Sequence, residues 1–272
     1  MFTRVFGAVT QRLEPGAGPP ADHRPWPLPN APWIMVQTWE DLLFAHWAVR
    51  RDVLRSLVPA SLALDTFDGG AWIAITPFRV TGLRLRGLPP LPGLSSFPET
   101  NVRTYVSMNG KAGVYFLSLD AGSRLAVAAA RRLYLLPYFD ACFRITRAGA
   151  RIRYASRRRH RGAPPAELRV DYSPAGPVER AEPGSLAWWL TERYCLYTID
   201  RHGGVHRAEI HHAPWPLQPA DAEIARNTMV ASLPVALEGR PLLHFARRLD
   251  VQIWSLVGAE LDTREPACRR SR

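Results

Sequence analysis

Lysine is nearly missing from this chain. Of 35 basic residues all but Lys111 are arginine. A covalent imine with a carbonyl substrate needs a desolvated lysine, so that chemistry rests on a single candidate. Cysteine is scarce as well: Cys142, Cys195 and Cys268 are odd in number, widely spaced and without a C-x-x-C pair. That argues against a disulfide framework or a thiolate zinc site and suits a reducing cytoplasm. No apolar run approaches ~18 residues, so no membrane-spanning helix is expected. The first residues, MFTRVFGAVTQRLEP, lack an apolar core followed by a small-residue cleavage site, and no signal peptide is read there. Also missing are a G-x-S-x-G elbow, a G-x-G-x-x-G fingerprint after a strand, and a phosphate loop ending in Lys-Ser or Lys-Thr.

The net charge of +11 invites a nucleic-acid partner. The arginines are scattered, however, apart from Arg157-Arg158-Arg159-His160-Arg161 and the tail Arg269-Arg270-Ser271-Arg272. Such runs read as a solvated hairpin tip and a frayed end, which disfavours nucleic acid and keeps it as an alternative.

What is present is a chain of 272 residues, 47% apolar with nine tryptophans, enough for one sizeable core. Residues 1–30 are rich in Pro, Gly and Ala and read as a loose arm, 31–257 as a single domain, and 258–272 as a basic tail. Strands are expected from Trp33 to Trp39, Ser61 to Phe67 and Ala71 to Phe78, with Asp41 to Trp47 either a strand or an irregular corner. A helix fits Arg51–Leu57, stopped before Pro59, and another fits Ser123–Tyr134. The arms of a hairpin fit Tyr138–Thr146 and Ala150–Ser156. Further strands fit Glu167–Tyr172, Tyr194–Ile199, Val205–His212 and Leu242–Trp254. Helices are expected over Pro183–Arg193 and Pro219–Met229, and residues 82–97 read as a loop. Many short strands, few helices and no β-α-β rhythm predict a mainly β (α+β) fold, an antiparallel sheet closed into a cone or barrel.

The most informative stretch is Phe97 to Ala121. Asn109-Gly110 is a strong two-residue hairpin signal. Counting outward from Met108 opposite Lys111 pairs Tyr105 with Val114, Arg103 with Phe116, Asn101 with Ser118, and Glu99 with Asp120. One face then gathers Glu99, Asn101, Arg103, Ser118 and Asp120. Two readings stand: a surface ion-pair ladder of little energetic weight, or the polar floor of a pocket.

The His206 to His212 segment invites a metal reading. On a strand, His206 and His212 share one face while Glu209 and His211 share the other, so no three ligands converge locally. Neither a metal nor a cofactor is expected.

Several segments together resemble a bacterial family of YqjF-like proteins. They are Trp39-Glu40-Asp41-Leu42-Leu43-Phe44-Ala45-His46-Trp47, Phe97-Pro98-Glu99-Thr100-Asn101-Val102-Arg103-Thr104-Tyr105-Val106, and Gly113 to Ala121. Ala130-Arg131, Leu136-Pro137-Tyr138, Glu192-Arg193-Tyr194 and His211-His212-Ala213-Pro214-Trp215 follow in order. The family brings no activity with it. It is similar in fold to acetoacetate decarboxylase, a β cone around a buried site, which implies an inward-facing Glu99. That enzyme's Schiff-base lysine falls in a segment matched here by Leu136-Pro137-Tyr138-Phe139, so the resemblance leaves the amine out. Lys111 is a poor substitute, beside a turn where solvent would keep it an ordinary protonated amine and on the face opposite Glu99.

The expectation is therefore a bacterial, cytoplasmic, small-molecule-binding β cone for an acidic or carbonyl-bearing, preferably anionic ligand. Asn101, Arg103, Ser118 and Arg131 would bind it, Arg103 through its fixed fork of donors. The alternative is an acid–base lyase, isomerase or hydrolase in the same cavity, with Glu99 or Asp120 as base and Tyr138 as hydrogen-bond donor. A homo-oligomer is compatible with either.

Overall fold

The computed structural model describes residues 20–259. Most of the expected arm, the basic tail and Cys268 lie outside the described residues. The Asn109-Gly110 turn forms as its chemistry dictates: both residues sit at positive φ, +52° and +75°, the pair of left-handed positions that a type I′ hairpin requires. It joins β4 (Phe97–Met108) to β5 (Lys111–Ala121), with Met108 opposite Lys111.

Around this hairpin the chain supplies β1 (Met35–Val49), α1 (Arg51–Leu57), β2 (Ala63–Leu64) and β3 (Ala71–Leu85). After it come α2 (Arg124–Leu133), β6 (Tyr138–Ala148), β7 (Arg151–Arg158), β8 (Glu167–Pro174) and α3 (Leu186–Thr191). β9 (Cys195–Ile199), β10 (Val205–His211), β11 (Gln218–Asn227), β12 (Leu242–Ile253) and β13 (Val257–Gly258) complete it.

The pairings close two circuits that share a wall. Nine strands, β5-β6-β7-β8-β11-β12-β1-β3-β4, return to β5 and form a closed barrel. A second circuit leaves β5 through β9 and β10 and rejoins at β12. Closure removes free sheet edges. The barrel is filled by Leu43, Ile73, Ile75, Val102, Tyr154, Val170 and Phe245 among others. The opposite face of the shared wall carries Phe44, Phe78, Phe97, Trp215 and Leu249.

Strand parity decides which chamber a residue enters. Along β1, Trp39 belongs with the second cluster, as do Leu42 and Phe44, whereas Leu43 and Ala45 face the barrel. The switch from odd to even occurs at Asp41, whose φ of +51° breaks the pleat. Thus the stretch that reads as a strand or a corner is both, one long strand with an irregularity inside it.

The structure departs from expectation elsewhere too: the strand expected over Ser61–Phe67 shrinks to the two residues of β2, and β3 runs on through residues 82–85 of the expected loop. Residues 218–227 form β11, not a helix, although Ala and Glu are good helix formers. Ala220, Ala222 and Ile224 pack on the barrel core while the intervening Asp221 and Glu223 pair with β8 on the outside, so period two overrides propensity. α3 is shorter than Pro183–Arg193. α2 connects β5 to β6 in parallel, giving one β-α-β crossover where none was expected. The described end of the arm packs on β10: Arg24 is buried, its guanidinium bonds Glu209 at 2.9 Å, and the Trp26 indole donates to the same carboxylate at 2.9 Å.

Candidate functional site

The second circuit encloses a cavity of about 570 Å³. Its walls come from β1, β3, β4, β5, β9 and β10, and α2 covers one side with Ala126, Ala129 and Ala130. The Ser123 hydroxyl caps the start of α2 by accepting from the Ala126 N–H at 3.3 Å.

Glu99, Asn101 and Arg103 alternate along β4 on one face, as the hairpin predicts, and all three reach this cavity. The Glu99 carboxylate is 4% exposed. It accepts a hydrogen bond from the Tyr138 hydroxyl at 2.9 Å and another from the Asn101 amide. The Thr76 hydroxyl donates to the Asn101 side-chain oxygen, which turns the amide nitrogen toward Glu99. Burial outweighs these bonds and lifts the carboxyl to about 7. Burial, then the neighbouring Glu99, holds the Tyr138 phenol well above its usual range, so it stays a proton donor.

Arg103 is buried at 8% exposure. Its Nη2 reaches the Leu190 carbonyl at 3.4 Å, and its Nε has no partner. The guanidinium lies over the rings of Phe44 and Tyr105, with centroids at 5.3 and 5.9 Å. Among the described residues no carboxylate pairs with it. Arg193, also on the cavity wall, bonds Asp65 at 2.5 Å. Burial lowers its pKa from the usual arginine value, and the charge on Arg103 adds to that effect against Asp65. Behind them His46, fully buried with neither ring nitrogen bonded, is held neutral by burial first and by Arg103 second. Near neutrality, Glu99 is only part-ionised, so this end of the cavity carries an uncompensated positive charge.

Ser118 and Asp120 do not join the site. The ladder skips one residue of β5 between Arg103↔Phe116 and Val102↔Ser118, leaving Leu117 as a bulge. From there every side chain changes face: Asp120 sits opposite Thr100 and Ser118 opposite Val102, on the barrel side. Asp120 is fully buried in an ion pair with Arg158 at 2.8 Å, and the Arg158 guanidinium stacks 4.1 Å from the Phe139 centroid. Burial raises the Asp120 carboxyl, opposed by Arg158. The arginine run expected as a solvated tip therefore has one member turned inward. Arg131 is exposed on α2 and donates to the Tyr138 carbonyl at 2.7 Å, which fixes the backbone of a site residue without entering the cavity.

Lys111 is partly buried, not bathed in solvent: it pairs with Glu209 at 3.5 Å and lies 5.7 Å from the Trp26 ring centroid. Among the described residues no amine lines the cavity. The histidines diverge, His206 bonding Asp200 at 2.8 Å while His212 sits on the cavity wall with Nδ1 against the Ala213 carbonyl at 2.7 Å. Burial pushes His212 down to about 3, so it is neutral. Residue-by-residue reading passes over Thr76, weighs His212 only as a metal ligand, and meets Arg193 only within a segment of the family resemblance. The one signal for them is a polar or charged side chain inside an otherwise apolar strand or helix end.

The fold is a closed β barrel of the acetoacetate-decarboxylase type. Acetoacetate decarboxylase from Legionella pneumophila superposes with a TM-score of 0.53 at 13% identity, over 87% of this chain and 93% of that one. The enduracididine biosynthesis enzyme MppR, complexed with pyruvate, gives 0.57 at 11% identity over 84% and 91%. At such identities the likeness is one of fold. The DUF2071 model, described as an uncharacterized conserved protein, matches residues 36–250, and the chain belongs to that family. It is 48% identical to YqjF of Bacillus subtilis over 230 residues, 84% of this chain and 94% of the relative.

Proposed function

We propose that the cavity binds a small carboxylic or carbonyl-bearing ligand without a covalent bond, with Arg103 as its anchor. The observation that carries this reading is a buried guanidinium on the cavity wall with an unused donor and no carboxylate. Leaving such a charge unpaired is costly, and an incoming anion removes the cost through short, charge-assisted hydrogen bonds. Pyruvate in the MppR complex is an acid of the kind this end of the cavity suits. Glu99, Asn101 and Tyr138 would meet a carbonyl or hydroxyl group of the same ligand. The free thiols Cys142 and Cys195 agree with a cytoplasmic setting.

The direct experiment is calorimetric titration of the protein and of its Arg103→Met variant with pyruvate, acetoacetate and benzoate. Binding that disappears in the variant is expected. Equal binding by both proteins, or none by either at millimolar ligand, overturns the assignment.

A second reading, acid–base catalysis, is favoured by one observation, the Glu99 carboxyl near 7, where a group exchanges protons efficiently at neutral pH. Deuterium uptake at the carbon beside the carbonyl of a bound oxo acid, followed by NMR, should require Glu99 and vanish in Glu99→Gln. Uptake at an unchanged rate in that variant removes Glu99 from the chemistry.

A further inference from the structure

Most of the cavity wall is apolar, with Met35, Trp39, Phe78, Leu83 and Phe116 among its members. Thr76, Glu99, Asn101, Arg103 and Arg193 form its buried polar cluster, and Gln37, Arg84 and Ser255 add scattered polar groups elsewhere on the wall. A volume of about 570 Å³ falls in the ~300–1,000 Å³ range of pockets that enclose drug-sized molecules. A three- or four-carbon acid held by Arg103 would leave most of that apolar surface uncovered.

The mouth continues the same character. Leu85 at the end of β3, Leu88 and Leu91 in the loop of residues 86–96, and Leu133 at the end of α2 all line the cavity. They are nevertheless 49%, 51%, 50% and 67% exposed. Single exposed leucines need no explanation. Four that converge from three separate segments on one opening form a patch that does. The loop that carries two of them holds its shape through Pro89, Pro90 and Pro92 and turns at Gly87 and Gly93, each at φ +77°.

Resting on the reading of Arg103 as the head-group anchor, we propose that the ligand is an amphiphile. It is an acid whose aliphatic or aryl chain fills the outer cavity and ends among Leu85, Leu88, Leu91 and Leu133. The charged end lies deep against Arg103 and the chain points outward. Each methylene buried along Trp39, Phe78 and Leu83 leaves water for an apolar wall, and the collar receives whatever length exceeds the cavity.

The test is a chain-length series of straight-chain carboxylates from four to twelve carbons, each below its micellar concentration, measured by calorimetry beside the matching primary alcohols. The dissociation constant should fall roughly three- to fourfold per added methylene and level off once the chain reaches the collar. A flat series with measurable binding overturns the amphiphile and leaves the Arg103 anchor standing. Alcohols that bind as tightly as acids overturn the anchor and with it the proposed orientation. No binding at any length overturns both.

Leu88→Asp and Leu133→Asp alter exposed positions and leave the core untouched. They should weaken the longest acids tenfold or more and the four-carbon acid not at all. Long acids that bind these variants normally remove the collar from the ligand site. Sedimentation of the same variants supplies the competing result: dissociation of an oligomer with an unchanged chain-length dependence would give the collar to a second copy of this chain.

Discussion

Replacing Glu99 by glutamine should change how stability depends on pH, with a sign opposite to that of ordinary carboxylates. A surface carboxylate paired in the folded state ionises more easily there, and stability is lost toward acid. Burial does the reverse to Glu99, whose carboxyl rises from 4.5 to about 7 in the folded protein. A group with a raised folded pKa contributes fully below its unfolded value and loses that contribution as pH rises through the folded value. The window is therefore pH ~4.5 to 7, with stability falling as pH increases. A displacement of this size, at ~1.4 kcal/mol per unit, makes the ionised Glu99 an effective penalty of about 3 kcal/mol at pH 8.

Glutamine keeps an oxygen for the Tyr138 hydroxyl and carries no charge, so Glu99→Gln escapes the penalty. In a domain of this size ~3 kcal/mol corresponds to roughly 5–10 °C in Tm. The variant should melt higher than the parent by about that margin at pH 8 and at nearly the same temperature at pH 4.5. Histidine burial pulls the other way. His46 and His212 have depressed pKa values, so their contribution is present above ~6.5 and lost as pH falls below it. Both proteins share those histidines, and only the difference between the two melting curves isolates Glu99. Scanning calorimetry across pH 4.5–8 reads it directly. A constant offset over the whole range would refute the assignment of a buried, half-ionised carboxyl.

Arg103→Met should raise the melting temperature of the ligand-free protein, because an apolar side chain of similar length replaces an unpaired buried cation. A gain of about 1–2 kcal/mol in denaturant unfolding is expected, and a loss would contradict the view that Arg103 awaits a partner. Asp120→Asn or Arg158→Met alone should destabilise by roughly 3–5 kcal/mol by stranding one charge of a buried pair. The double replacement should recover much of that in a double-mutant cycle, and strict additivity would show that the two groups act independently. Gly113→Ala should cost about 1–3 kcal/mol. A methyl group there would meet the Cys195 carbonyl and sulfur at 2.7 Å, where β5 and β9 run side by side, and a neutral urea midpoint would count against that close approach.

How far the fold was readable depended on whether its determinants were local. Asn109-Gly110 announces its turn through two residues that tolerate positive φ, and Met108 does face Lys111. Alternation along Phe97–Met108 correctly put Glu99, Asn101 and Arg103 on one face. The count failed at the seventh residue beyond the turn, Leu117, because a bulge is set by how two chambers share one strand and leaves no mark in residue type. Ser118 and Asp120 were assigned to the pocket for that reason alone. Residues 218–227 misled through propensity, since their alternation matters only once β8 is alongside. Arg158 looked like part of a charged surface because Asp120, distant by 38 positions, is visible only in the folded chain. The inward direction of the polar face came from likeness to a family, not from the residues themselves.

The shared wall has a consequence for how this protein can change over time. Glu99 looks into the cavity while its own carbonyl accepts a hydrogen bond from Tyr154, a barrel residue, at 2.8 Å. The polar end of the cavity is thus bolted to the core of the other chamber. A substitution that moved β4 enough to reshape the polar cluster of Glu99, Asn101 and Arg103 would have to disturb both fillings at once. The opposite end answers to neither: α2 and residues 86–96 touch the cavity without belonging to the nine-strand circuit. Relatives with this architecture are therefore expected to vary the shape of the cavity mouth by altering the helix and the proline-rich loop, with the floor beneath Glu99 and Arg103 retained as common equipment.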